Sequence, residues 1–203
     1  MSKLRILQLS ILALAAVAAL VLYLPGVRPE RTDVRTVEGA PAIGGAFELV
    51  DPQGRTVTDA DLKGRYALVF FGFVNCPDIC PLTLQTLTQA LEMAGPMAED
   101  VQPVFITVDA ARDTPETMGA YIANFHPRFL ALTGTPEQTK RAADAYRVYF
   151  RKAAEQEPGE YMMEHSGFVY FMDRDGDFIT HFNSSATAQD IAARIRQETG
   201  FKR

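Results

Sequence analysis

Two kinds of apolar pattern divide the chain. Ile6 to Leu24 is apolar except for Gln8 and Ser10, and it follows Lys3 and Arg5. As a helix this segment spans about 28 Å, close to a bilayer core of roughly 30 Å. Beyond it, short apolar runs alternate with helical periodicity. Tyr66 to Phe73 is a nearly unbroken apolar run rich in aromatic and branched residues, which predicts a strand buried on both faces. Pro81 then opens a helical pattern carried by Leu82, Leu84, Leu87 and Leu91, with Cys80 as the expected non-helical cap.

Upstream of that strand, Phe47–Val50 and Arg55–Val57 flank an Asp51-Pro52-Gln53-Gly54 turn and predict a β-hairpin. Thr58 to Lys63 predicts a short helical turn ending at Gly64. Downstream, Val101–Val108 predicts a strand, and Thr114-Pro115-Glu116 starts a helix running to about Phe125. Phe129–Leu132 predicts a short strand, and the capping-box pattern at Thr135–Gln138 starts a helix through about Tyr149. Arg151 to Glu164 loses periodicity and, with Pro158 and Gly159, reads as a mobile loop. Gly167–Met172 and Phe178–Phe182 predict a second hairpin around Asp173–Asp177, and Thr187 caps a final helix to Thr199. The Asp-rich turn lacks the downstream ligands of a calcium loop and reads as a plain turn.

Strands alternating with helices predict a layered α/β sheet. A cysteine pair at a strand-to-helix junction, followed by a hairpin and a last helix, points to a thioredoxin-like fold. The additions are an N-terminal β-hairpin, insertions, and one preceding transmembrane helix. The expected division is an anchor over 1–24, a polar, proline-bearing linker over 25–42, and one domain over 43–203.

Composition and charge narrow the function. The apolar fraction of 47% and charged fraction of 22% are those of a globular protein. Residues 1–30 carry a net +2 from Lys3, Arg5 and Arg28 against Glu30, so the remainder of a chain of net −5 carries −7. An acidic domain without a basic stripe argues against nucleic-acid binding. Lys3 and Arg5 hold their end in the cytoplasm, so the domain is expected on the periplasmic side of the inner membrane. A cleaved signal peptide is the competing reading, because Ala16-Val17-Ala18 fits a cleavage site, but the length of the run favours a retained anchor.

Cys76 and Cys80 are the two cysteines of the chain. They can bridge, clip a metal, or pack as small apolar groups. At i,i+4 in a regular helix their β-carbons stand about 5–6 Å apart, whereas a relaxed disulfide needs about 3.8 Å. Metal tolerates the wider gap, although Pro77 and Pro81 suggest an irregular loop that could admit a bridge. A helix N-terminus beside the thiols lowers cysteine pKa and favours thiolate. Asp78 opposes that shift unless it is turned away. In an oxidising compartment the pair tends towards a disulfide, so keeping it reduced takes a dedicated reductant.

At Cys76-Pro-Asp-Ile-Cys80-Pro and Glu164-His165-Ser166 the chain resembles the SCO/SenC/PrrC family. Gly44–Leu49, Phe71-Gly72-Phe73, Val108–Pro115 and Tyr170–Gly176 fit the same family, and the likeness covers about residues 40 to 200. The resemblance implies a membrane-tethered copper chaperone that serves assembly of the binuclear copper centre in subunit II of cytochrome c oxidase. It also implies an upstream copper donor and a thiol reductant. Its copper ligands correspond to Cys76, Cys80 and His165. Thiolates are soft and select Cu(I); with added ligands the same set could take Cu(II). Zinc is the rival, but closed zinc sites have four protein ligands and three are nameable. The family has Asp before its histidine where this chain has Glu164, which touches the setting of the imidazole.

The remaining candidates have plainer readings. His126, at a helix end where a cation suits the dipole, and His181, in a strand, are expected to be structural. Met162 and Met163 are read as flexible packing rather than spare ligands. Asp109, Arg112 and Asp113 are read as a local ion pair or cap, and Phe71 and Phe73 as core. Two further functions use the same thiols: a thiol-disulfide oxidoreductase with Cys76 and Cys80 catalytic, and a peroxidase-like sensor resting on fold analogy alone.

Overall fold

Burial decides which apolar runs become sheet. The computed structural model describes residues 42–155 and 161–200. Within them the chain begins with a hairpin of β1 (Glu48–Val50) and β2 (Thr56–Thr58) and a 3-10 turn at Asp59–Leu62. It continues through β3 (Tyr66–Gly72), α1 (Ile79–Ala94), β4 (Val101–Thr107), α2 (Pro115–Ile122), β5 (Leu130–Leu132) and α3 (Pro136–Ala145). It closes with β6 (Phe150–Lys152), β7 (Met163–His165), β8 (Val169–Met172), β9 (Phe178–Phe182) and α4 (Ala188–Gly200). The expected anchor and nearly all of the expected linker fall in residues 1–41, outside the described residues. Among the described residues no helix is long and apolar enough to cross a membrane.

The central sheet runs β5-β4-β3-β8-β9. β3 pairs in parallel with β4, placing Phe70 opposite Phe105, and antiparallel with β8, placing Phe70 opposite Val169. Strand β3 therefore lies in the middle, and Ala67 to Gly72 are buried, as the unbroken apolar run predicts. Phe70, Phe71, Phe105 and Phe171 are fully buried and form the centre of the core. Helices α1 and α4 pack against each other. The first hairpin joins β5 through a bridge between Val50 and Thr133.

Local chemistry starts the helices where predicted. Thr114 Oγ1 accepts from Thr117 N for α2. Thr135 and Gln138 exchange both bonds of a capping box for α3, and Thr187 and Asp190 do so for α4.

Three expectations are corrected. Helix α1 starts at Ile79 with Asp78 as its N-cap, so Cys80 is the second helical residue and not the cap. Pro81 still fits, because the first turn has no N–H that needs an intrahelical partner. Helix α3 stops at Ala145, four residues early. Arg147 takes a left-handed φ of 58° and turns the chain, which lets Tyr146 and Val148 enter the core. The Tyr146 ring lies 5.4 Å from Phe71 and 5.6 Å from Tyr170. Finally, the two ends of the loop expected over 151–164 form a two-stranded ribbon: β6 and β7 pair antiparallel, with Phe150 opposite His165 and Arg151 opposite Glu164. Its strands are short and carry mostly polar residues, so they show no alternation.

One glycine sets how near α1 comes to the sheet. A methyl group on Gly72 would lie 2.7 Å from Cys80 Sγ and 2.9 Å from the Phe105 ring. Both neighbours are fully buried, so neither can move freely. Gly72→Ala is expected to cost about 1–3 kcal/mol through overpacking, read as a lower urea midpoint with an unchanged slope. An unaltered midpoint would show that the strand and helix have room to spare.

Candidate metal centre

The centre forms where β3 gives way to α1. Gly72 O accepts from Val108 N at 2.8 Å, and Cys76 N then closes a turn onto Phe73 O at 3.3 Å. Cys80 is fully buried inside the first turn of α1, and Cys76 is half-buried in the preceding loop. The two cysteines are free thiols. Cys80 N donates to Cys76 Sγ at 3.4 Å, so an unsatisfied amide of the helix N-terminus finds its acceptor in the sulfur. Asp78 is exposed, and its backbone N–H, not its carboxylate, serves Cys76.

These donors divide the acidity of the pair. Hydrogen bonding from Cys80, helped by His165 and the two backbone amides against the cost of burial, brings the Cys76 thiol down to about 4. The bond to Cys76, burial and the neighbouring negative charge push the Cys80 thiol up. The first proton to leave the pair therefore leaves from Cys76, and Cys80 keeps the other.

His165 closes the third side, 85 positions away from Cys80 in the chain. Its Nε2 stands 3.6 Å from Cys80 Sγ. Its Nδ1 is 3.1 Å from the carbonyl of Ser166. A carbonyl can only accept, so Nδ1 is the donor there and Nε2 is the ring nitrogen that faces the sulfurs. Edge-on contacts with Phe73 at 5.9 Å and Phe70 at 6.2 Å hold the ring.

Among the described residues, no group of three His, Cys, Asp or Glu side chains stands ready-made around an ion. Cys76, Cys80 and His165 nonetheless adjoin one another. Metal–sulfur and metal–nitrogen bonds of about 2.3 and 2.0–2.1 Å, at trigonal to tetrahedral angles, put the two ligand atoms roughly 3.5–3.8 Å apart. The 3.6 Å between Nε2 and Cys80 Sγ lies within that range. A groove of about 510 Å³ gives access from solvent, lined by Cys76, His165, Met162, Met163, Pro77 and Ile79 among others.

The other candidates fall as follows. Glu164 is exposed, and its two oxygens accept from Arg151 at 2.8 and 3.0 Å across the ribbon, so its carboxylate leaves the His165 imidazole to Ser166. Met163 packs against the core and Met162 is exposed, both on the groove. His126 lies elsewhere, accepting from Arg128 N at 3.2 Å. Burial and Arg128 lower its pKa, so the cationic role expected for it is corrected. His181, on β9, contacts Phe168 and Phe178. Phe71 is core, whereas Phe73 is both core and a wall of the site.

Sequence reasoning missed two supports. Asp113 is not part of a purely local cap: its Oδ2 accepts from Thr107 Oγ1 at 2.6 Å and from Val74 N at 3.1 Å, tying the cysteine loop to the turn after β4. Burial raises its pKa. Tyr161 reaches the same turn, its hydroxyl donating to Asp109 Oδ1 at 2.7 Å. The signal for Asp113 was its place just beyond a buried strand end; Tyr161 carried none. The local ion pair expected in this segment is present, between Arg112 Nε and Asp109 Oδ2 at 2.5 Å.

The SCO1/SenC family profile matches residues 35–200. The protein sco1 of Schizosaccharomyces pombe is 42% identical over 160 residues, a match spanning 77% of this chain and 61% of that protein. The structure of Bradyrhizobium japonicum ScoI with copper bound is 42% identical, with a TM-score of 0.72 over 77% of this chain and 99% of that one. Yeast Sco1 with copper bound is 37% identical, with a TM-score of 0.74 over 80% and 91% of the two chains. The mixed α/β fold is thus that of the thioredoxin-like Sco structures, and the chain belongs to the SCO1/SenC family.

Proposed function

We propose that this protein is a copper metallochaperone that carries one ion between Cys76, Cys80 and His165. It would deliver the ion to the binuclear copper centre of cytochrome c oxidase subunit II. The observation that carries the reading is the approach of His165 Nε2 to 3.6 Å from Cys80 Sγ, beside a Cys76 already biased to thiolate. Two thiolates and one neutral imidazole make a soft, low-coordinate set that suits Cu(I). A closed zinc site takes four protein ligands, one more than this trio supplies. Relatives solved with copper bound support the assignment.

The ligands belong to parts of unequal stiffness. Cys80 is locked in the core, whereas His165 rides on a two-stranded ribbon of a kind only marginally stable alone. Withdrawing the ribbon leaves a two-sulfur site open to an acceptor's thiols. We further propose that residues 6–24 anchor the chain in the inner membrane, with the domain on the periplasmic side. Copper would come from an upstream donor, and a thiol reductant would keep the cysteines reduced.

A second reading rests on the unequal pair. The Cys76 thiolate attacks a disulfide sulfur of the oxidase's copper-site cysteines, and a mixed disulfide forms as one thiolate leaves. Cys80 then loses its proton and attacks Cys76 Sγ. The substrate leaves as a dithiol, the protein is left as a Cys76–Cys80 disulfide, and the thiol reductant restores it with two electrons and two protons.

Titrating the full chain with Cu(I) under reductant should give one ion per chain, lost in Cys76→Ser and Cys80→Ser. His165→Ala should weaken copper by about 100-fold or more, above the usual cost of an outer-shell change, while alkylation of Cys76 at pH 8 stays within about threefold. Unchanged copper affinity in that variant would remove His165 from the ligand set. In the apo protein, iodoacetamide should modify Cys76 and spare buried Cys80. The folded-state pKa of Cys76 is depressed, so its thiolate persists below pH 8 and is lost only as the pH falls towards about 4. Its alkylation rate should thus stay nearly flat from pH 8 to 6, where an ordinary thiol slows roughly 80-fold. A steep fall over that range would rule out the thiolate bias.

A further inference from the structure

The turn between β4 and α2 grips both arms of the centre. On the cysteine arm, Asp113 Oδ2 accepts from Val74 N, two positions before Cys76. On the histidine arm, Asp109 Oδ1 accepts from the hydroxyl of Tyr161 at 2.7 Å, four positions before His165. Thr107 links the Asp113 carboxylate to the Asp109 backbone: its hydroxyl donates to Asp113 Oδ2 at 2.6 Å and accepts from Asp109 N at 2.8 Å. Asp109 and Asp113 are 3% and 1% exposed, so water screens neither bond well.

The Tyr161 ring makes contacts of its own. Arg112 Cζ lies 3.7 Å from the ring centre, and Lys152 Nζ, from β6, lies 3.9 Å from it. Arg112 Nη2 is buried and has no hydrogen-bond partner among the described residues. The π-face of Tyr161 is what its guanidinium meets instead. Burial and Asp109 push the phenol up to about 12, so it remains a donor across the physiological range. Elsewhere the ribbon meets the body through apolar packing of Phe150 and Met163 and through the His165 ring itself. Its other ion pairs, Arg151 with Glu164 and Lys152 with Glu155, stay within the 150–165 segment.

We propose that Tyr161 is a positioning residue that latches the His165 ribbon to the β4–α2 turn through Asp109 and Arg112, and so sets how fast the bound ion is released. The inference rests on the copper reading for its consequence and on contacts in the apo protein for its structure. With the latch made, both arms register against one buried turn, and the imidazole is delivered at a fixed distance from the sulfurs. With it broken, the ribbon keeps its apolar contacts and the approach of His165 to Cys80, and opening costs less.

The test uses the full chain and Tyr161→Phe, which keeps the ring and removes the hydroxyl. In the apo protein, hydrogen exchange at Ala153 N and Ser166 N, the amides that bond Met162 O and Tyr149 O across the ribbon, should quicken roughly tenfold, the effect of losing one bond to a charged acceptor. Exchange in β3 should be unchanged, and the thermal midpoint should stay within about 3 °C. Loaded with Cu(I), the variant should pass copper to a competing chelator roughly tenfold faster. Arg151→Gln, which removes an ion pair internal to the ribbon, should leave the release rate as it is. Unchanged exchange in Tyr161→Phe, or equal acceleration by Arg151→Gln, would overturn the latch. Failure of the unaltered chain to bind copper would instead overturn the copper reading, while the exchange result would still decide the latch.

Discussion

The close approach of the first turn of α1 to the end of β3 is the constraint on which the centre depends. A helix N-terminus leaves amides without partners, and here one of them, Cys80 N, is satisfied by Cys76 Sγ. That is possible because position 72 has no side chain and Cys80 lies flat against the strand. The same contact buries one sulfur and leaves the other half-exposed. The hydrogen bond between the two thiols, followed by the heavier burial of Cys80, gives the low Cys76 pKa and keeps the other proton on Cys80.

The second constraint is the turn after β4. Burying two carboxylates beside a thiolate-forming pair is unfavourable unless each is well supplied with donors. Asp113 is supplied by Thr107 and Val74, and Asp109 by Arg112 and Tyr161. Because those donors come from both arms of the centre, satisfying the carboxylates also registers the arms. The core sets the cysteines and the ribbon brings the imidazole. This division of stiffness suits the proposed holding and release of an ion.

Much of the architecture was legible because it is encoded locally. Thr114, Thr135 and Thr187 start their helices by bonding amides three residues on, and a buried central strand announces itself at Tyr66–Gly72. The cysteine pair stood out by its place between that strand and a proline-led helix. The misses have equally local causes. Tyr146 and Val148 continue a helical spacing, yet they serve the core only after the chain has turned at Arg147. The β6–β7 ribbon is three residues deep on each side and pairs Arg151 with Glu164, so it carried no apolar alternation. His126 sat at a helix end that favours charge, but burial beside Arg128 favours the neutral ring.

By itself the sequence determined the order of elements, the helix starts and the thiol-bearing junction, because each rests on contacts between residues a few positions apart. The tertiary structure decided what the junction can hold. Only folding brings His165 across 85 positions to Cys80, turns its Nε2 inward through Ser166, and places Tyr161 against Asp109. Such contacts depend on how layers pack and how a short ribbon docks, and no periodicity within the chain records either.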